Sequence, residues 1–273
     1  MISILIFTGG LHPSKSDFKR CIKQFARPSF VIAADSGLAC AHRFGYKPDL
    51  IVGDMDSLVP ASVLDEYPDE KIVRFERDKD DSDTVIALKQ AIAYAQSAPD
   101  KSVQCAQGNG MPYRREELCI VLCGGDGGRL DHLLGIVKQF ETPVYPDVWL
   151  CRKQAVYNLR SGADGSPRVL HLDSQQCKEY VSVFPVHGLC SGALLKSEGL
   201  VWPLEKVDWQ NGAFSLSNRA CDDYVRHKKD IVLTAEKGAF IVIVPFAVFK
   251  SFPRILATTS MPKLVEGYRL VSF

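Results

Sequence analysis

Two carboxylates one residue apart, Asp54 and Asp56, follow a short apolar run and a glycine in Leu50-Ile51-Val52-Gly53-Asp54-Met55-Asp56-Ser57. Such a run reads as a buried strand, and in α/β proteins ligands gather beyond the carboxyl ends of strands. On extended backbone, residues two apart project to the same side, so the pair is predicted to face one cleft. That suits a hard divalent cation, because Mg²⁺ takes one or two carboxylates and leaves its other positions to water and phosphate. Glycine, aspartate and serine also make ordinary turns, so the metal reading draws on what the rest of the chain supplies.

A second acid-rich turn, Arg77-Asp78-Lys79-Asp80-Asp81-Ser82-Asp83-Thr84, precedes Val85, Ile86, Leu88, Ala91, Ile92 and Ala95 at helical spacing. Asp or Ser at a helix start is capping chemistry. Capping needs one such side chain, however, and clustered aspartates repel unless a cation joins them. A third turn is Cys123-Gly124-Gly125-Asp126-Gly127-Gly128-Arg129-Leu130-Asp131-His132. Its glycines, placed between a strand and a helix, form a backbone cradle for anions, and Arg129 adds charge. A further acid, Asp35, closes the apolar run before Ser36-Gly37. Acids beside a glycine cradle suit Mg²⁺-assisted transfer from a nucleoside triphosphate, where positioning and charge neutralisation supply most of the catalysis.

These turns need a scaffold that brings them to one edge. Apolar runs predict strands over 2–7, 30–34, 50–52, 71–75 and 118–122. Helical spacing predicts helices over 14–25, 38–44 and 85–95, one opened by Pro60, and one carrying Leu133 to Phe140. Alternation up to about Trp149 implies a parallel sheet covered on both faces. Beyond it, short stretches at 155–159, 180–184, 213–216, 231–234 and 240–244 stand between Gly, Pro, Asn and Asp, the pattern of a small sandwich or barrel. The expected fold class is therefore α/β: a Rossmann-like catalytic domain over 1–150, followed by an all-β domain over 151–273, a sandwich or barrel. The polar, glycine-bearing stretch 99–117 reads as a surface insertion.

With 46% hydrophobic and 24% charged residues, the chain can bury a sizeable core. A net charge of +1 leaves no polybasic footprint for nucleic acid or a membrane surface, and no run reaches membrane-spanning length. The nine cysteines lack a C-x-x-C pair and several, such as Cys119 and Cys123, stand in apolar surroundings. They read as buried thiols, neither a disulfide framework nor a zinc site. The apolar start Met1–Phe7 lacks a basic region and runs into Thr8-Gly9-Gly10, a strand and turn with no signal-peptide pattern. A cytoplasmic location is expected.

In order, Ala34-Asp35-Ser36-Gly37, Gly53-Asp54-Met55-Asp56-Ser57, Asp78-Lys79-Asp80-Asp81-Ser82-Asp83 and Gly127-Gly128-Arg129-Leu130-Asp131-His132 resemble the motifs of the thiamine pyrophosphokinase family. Glu198-Gly199-Leu200-Val201-Trp202-Pro203-Leu204 and Ser215-Leu216-Ser217-Asn218 resemble its Gly-Leu-x-Trp and Ser-x-Ser-Asn signatures. The resemblance runs from about Gly9 to Asn218. It implies an α/β domain followed by a β-sandwich, a homodimer with active sites between subunits, and pyrophosphoryl transfer from ATP to the thiamine hydroxyl, releasing AMP. It implies that Asp54, Asp56 and Asp83 hold Mg²⁺ on the ATP phosphates, with Asp35 and Asp131 lining the cleft. Ser36, Asp80, Ser82, Gly127, Gly128 and Arg129 would face the nucleotide. Trp202 would stack on the vitamin, and Ser217 and Asn218 would reach it from the partner subunit. Two positions depart from the family pattern: Ser36 where a glycine is usual, and Lys79 where a glutamine is usual. Because an ammonium is unfavourable beside a cationic thiazolium, Lys79 is expected to serve phosphate or the acid cluster. Two other readings fit part of these features. One is an Mg²⁺-dependent glycosyl- or nucleotidyltransferase using Asp-x-Asp, and the other is a non-catalytic nucleotide-binding module.

Overall fold

The structure is a computed structural model that describes residues 2–56, 61–76, 80–97, 115–245 and 254–257. Ser57, Pro60, Asp78, Lys79 and the 99–117 insertion up to residue 114 lie outside the described residues. The first half alternates as expected: β1 (Ile2–Phe7), α1 (Lys15–Ile22), β2 (Phe30–Ala34), α2 (Gly37–Phe44), β3 (Leu50–Gly53), β4 (Ile72–Arg74), α3 (Asp83–Ser97), β5 (Leu118–Cys123), α4 (Leu130–Gln139) and β6 (Val148–Leu150). The second half is almost all strand: β7 (Gln154–Arg160), β8 (Arg168–Asp173), β9 (Val181–Pro185), β10 (Leu194–Glu198), β11 (Ser215–Asn218), the short α5 (Asp222–His227), β12 (Asp230–Lys237), β13 (Ala239–Pro245) and β14 (Arg254–Ala257). The helix expected after Pro60 is a 3-10 turn over Ala61–Glu66.

One ten-stranded sheet runs in the order β11-β9-β13-β7-β6-β5-β1-β2-β3-β4. The strands from β6 to β4 pair in parallel, whereas β6 to β7, β7 to β13, β13 to β9 and β9 to β11 are antiparallel. The change of sense falls between Leu150 and Gln154, near the expected domain boundary, and the sheet continues through it. A second, antiparallel sheet follows the order β10-β12-β8-β14. The fold is thus α/β with a β-sandwich part.

β1 shows why its residues form a central strand. Ile4 and Ile6 face one side with Ile32, Ile86, Leu88 and Ala91, while Leu5 and Phe7 face the other with Phe18, Cys40 and Phe44. Both faces are buried, so the run is continuously apolar instead of alternating. α1 starts at Ser14, whose hydroxyl accepts the Asp17 N–H at 3.1 Å. The second sheet adds Leu170, Leu172, Leu195, Ile231 and Leu233 to the Phe7 side of the core. All cysteines among the described residues are free, and most are buried. No helix among the described residues is long and apolar enough to cross a membrane.

Candidate functional site

β1 is flanked by β2 on one side and β5 on the other. From β1 the chain order runs outward in both directions, and that reversal point is where open α/β sheets bind ligands. Two glycine turns meet there. The Gly125 N–H donates to the Gly9 carbonyl at 2.6 Å, and the Leu11 N–H donates to the Asp126 carbonyl at 2.6 Å. Gly124, at φ +108, is packed so closely that a Cβ would lie 2.4 Å from the Thr8 carbonyl oxygen and 2.6 Å from His12 Nε2. The Trp149 indole N–H donates to the Gly124 carbonyl at 2.6 Å and fixes the turn from below.

The acids arrive one strand further along. Asp35 follows β2 in the left-handed region, at φ 47. Its N–H donates to the Val52 carbonyl at 2.8 Å and its carbonyl accepts the Leu38 N–H at 3.0 Å, so strand and helix both fix it. Gly53, at φ +147, ends β3 beside it, and a Cβ there would sit 3.1 Å from that of Asp35. Asp54 comes next, and Asp83 opens α3. One carboxylate oxygen from each of Asp35, Asp54 and Asp83 lies within 4.8 Å of the others, and all three residues are half-buried. Three hard anionic oxygens converging from two strands and a helix fit a divalent cation such as Mg²⁺.

Asp56 lies outside this group. Extended backbone would set it on the same side as Asp54, but Met55 adopts φ 64 and turns the chain. Met55 packs with Leu38, Leu64 and Tyr67, and the Asp56 N–H folds back onto the Asp54 carboxylate at 3.2 Å. The Asp56 side chain consequently faces solvent, exposed beside the half-buried Asp54.

Arg129 and Asp131 flank the start of α4 and bind each other, with Nε to Oδ1 at 3.1 Å. Hydrogen bonding from Arg129 holds the Asp131 carboxyl below its ordinary range, yet both side chains are mostly exposed. Asp80 and Ser82 are exposed before α3, and the Ser82 hydroxyl accepts the Val85 N–H at 3.4 Å. The Ser36 hydroxyl takes the space a side chain at Gly9 would need, since a Cβ there would lie 2.6 Å from Ser36 Oγ. Gly128 is open on its Cβ side.

Trp202 is 52% exposed. Its main chain is clamped by the fully buried Asn218, whose Oδ1 accepts the Trp202 N–H at 3.1 Å and whose Nδ2 donates to the Trp202 carbonyl at 2.7 Å. The Arg219 guanidinium lies 5.3 Å from the indole centroid. Ser217, at φ 54, is exposed, and its N–H donates to the Ser182 hydroxyl at 3.2 Å.

The model of the family described as thiamin pyrophosphokinase, catalytic domain, matches residues 22–150, the segment that carries all three converging acids and the glycine cradle. Residues 22–150 belong to the thiamin pyrophosphokinase catalytic-domain family. Solved structures of similar fold include the thiamin pyrophosphokinase of yeast, with a TM-score of 0.61 at 16% identity over 89% of this chain and 86% of that one. A thiamin pyrophosphokinase family protein from Enterococcus faecalis gives 0.59 at 18% identity over 90% and 99%. The thiamin pyrophosphokinase of Geobacillus thermodenitrificans gives 0.57 at 21% identity over 90% and 97%. At these identities the likeness is one of fold. No curated protein matches the chain by sequence.

The strand order puts the acid edge and Trp202 toward opposite ends of one sheet. From β2 to β11 the order β2-β1-β5-β6-β7-β13-β9-β11 takes seven inter-strand steps. At about 4.8 Å per step these span roughly 30 Å. A contact with no sequence signal is that of Thr8 with Thr84, a buried Oγ1 to Oγ1 hydrogen bond of 2.6 Å between the residue after β1 and α3. The two residues lie 76 apart, and nothing local in the sequence marks the pair.

Proposed function

We propose that this chain is a thiamine pyrophosphokinase, which transfers the pyrophosphoryl group of ATP to the hydroxyl of thiamine and releases AMP. The observation that carries the reading is the convergence of Asp35, Asp54 and Asp83 beside the glycine turns, inside the segment that matches the family's catalytic domain. These three carboxylates would hold Mg²⁺, which supplies charge neutralisation at the phosphates. In this reading Asp54 and Asp83 serve as ligands, with Asp35 as the third in place of Asp56. Gly127, Gly128 and Arg129 would face the phosphates at the mouth of the cradle. The grouping draws on three separate turns and not on an Asp-x-Asp pair, which favours this reading over a nucleotide-sugar transferase.

Trp202 offers an exposed indole for the cationic thiazolium, a pairing that aromatic faces favour. Thiamine bound to Trp202 cannot reach acids roughly 30 Å away in the same chain. We infer that a two-fold dimer brings Trp202 and Ser217 of one copy to the acid edge of the other, with Asn218 fixing the Trp202 main chain from beneath. Exposed Leu130, Leu134 and Val137 on α4 and Phe214 and Leu216 near Trp202 give apolar surface for such a contact. The test is incubation of the pure protein with ATP, Mg²⁺ and thiamine, with products separated by chromatography. AMP and thiamine diphosphate in equal amounts are expected. ADP, or no thiamine-dependent product, overturns the proposal.

A further inference from the structure

Two of the three acids are fixed by the sheet, because Asp35 and Asp54 leave adjacent strands of one ladder, with Ala34 paired to Val52. The third, Asp83, rides on a helix. α3 meets the sheet through Ile86, Ala87, Leu88, Ala91 and Ala95, and small apolar side chains against a sheet attract without direction. Such packing holds the helix down but sets its axial position weakly. A hydrogen bond is directional, and one stands a residue from the ligand: Thr84 Oγ1 to Thr8 Oγ1, 2.6 Å, with both residues buried. Thr8 is itself held three ways. Its N–H donates to the Cys123 carbonyl at 3.0 Å, its carbonyl accepts from His12 Nε2 at 2.7 Å, and its carbonyl oxygen fills the space beside Gly124. The last residue before the glycine turn at β1 is thereby tied to the first turn of α3.

We propose that Thr8 and Thr84 are positioning residues, whose hydroxyl pair sets where Asp83 stands relative to Asp35 and Asp54 and couples the acid cluster to the glycine cradle. This rests on the reading of the three acids as a divalent-cation site. Neither threonine is a ligand; the hydroxyl pair acts through the start of α3, where Asp83 precedes Thr84, and so stands behind the ligand as outer-shell groups do.

The measurement is Mn²⁺ affinity by electron paramagnetic resonance, on the whole protein with α,β-methylene ATP and no thiamine, so that no turnover is read. Melting temperature is followed alongside. Thr84→Ala should weaken Mn²⁺ about tenfold, the scale of loss when a group behind a metal ligand is removed. Thr84→Ser, which keeps the hydroxyl and loses only the methyl, should bind near wild type. Adding Thr8→Ala to Thr84→Ala should cost little more, because both changes break one bond. Should Thr84→Ala fail to fold, Thr8→Ala reads the same bond from the strand. Wild-type affinity in the alanine variant, or equal loss in the serine variant, overturns the proposal. Asp54→Asn serves as the control. If it leaves Mn²⁺ binding unchanged, the cation site falls and this inference with it; if it abolishes binding while Thr84→Ala does not, the positioning claim alone falls.

Discussion

At the carboxyl edge of β2 and β3, Asp35 and Asp54 leave neighbouring parallel strands whose side chains are buried on both faces. At the other end of the same sheet, Leu216 and Ser217 stand exposed on the edge strand β11, which pairs with β9 through an irregular register, and Trp202 is exposed beside it. The three acids of the first region come together within one chain. Asp35 and Asp54 are placed by ladder hydrogen bonds and by a glycine that admits Asp35. The second is a well-supported platform with nothing of its own to act on. Asn218 fixes the Trp202 main chain from below, and the indole stays half exposed with the Arg219 guanidinium over one face. An acid edge and an exposed aromatic side chain too far apart to share one small molecule are the reason the proposed site draws its two halves from two copies.

Substitutions should separate the two regions by what they damage. The largest effect belongs to the acid edge. Asp54→Asn or Asp83→Asn removes a ligand from a phosphoryl-transfer site, a loss of several kcal/mol, on the order of a hundredfold or more in kcat. The melting temperature should hold, since one of three converging like charges has gone. Steady-state kinetics with varied Mg²⁺, alongside a melting curve, check both halves of that expectation. Near-normal turnover with an unchanged Mg²⁺ requirement would remove the acids from the mechanism.

Next in size is Asn218→Ala. Asn218 is fully buried, and its amide serves the Trp202 N–H, the Trp202 carbonyl and the Arg219 N–H at 2.9 Å. Leaving those main-chain groups without partners costs about 1–3 kcal/mol. The thiamine KM should rise with little change for ATP. Trp202→Ala is the sharper contrast. Its exposed ring contributes little to the core, so stability should stay within about 0.5 kcal/mol, while the thiamine KM rises. A matching rise in the ATP KM would show that the two ends do not divide the substrates as proposed.

The smallest effect is expected at Arg129 and Asp131, which bind each other in solvent. Arg129→Ala should leave the melting temperature unchanged, because exposed ion pairs contribute little. Any loss should appear in the ATP KM and grow as salt is lowered.

The fold was legible where the signal is local. The run Phe30–Ala34 is a strand, and α2 stops where Gly45 takes φ 84. β8, β10 and β14 were not expected, since their pairing is non-local and β10, on an edge, buries only Leu195. At the site, residue types were legible and grouping was not. Replacing Asp56 by Asp35 in the cluster turns on one dihedral angle at Met55, itself set by packing against Leu38, Leu64 and Tyr67. The resemblance implies a ligand contact for Asn218, and its buried amide also holds the main chain of Trp202, sixteen residues away. Polar groups chosen by distant partners leave no periodicity to read.

The division of labour between the two regions is tested most directly by subunit mixing. Asp54→Asn and Trp202→Ala proteins are each assayed alone at low thiamine, then unfolded together, refolded and assayed for AMP and thiamine diphosphate. If each site takes its acids from one copy and its indole from the other, a mixed dimer holds one intact site and one doubly damaged site. Random two-fold pairing should then restore about a quarter of wild-type activity. If the acids and Trp202 of a single chain served the same site, every site in the mixture would carry one lesion, and activity would stay at the level of the two parents.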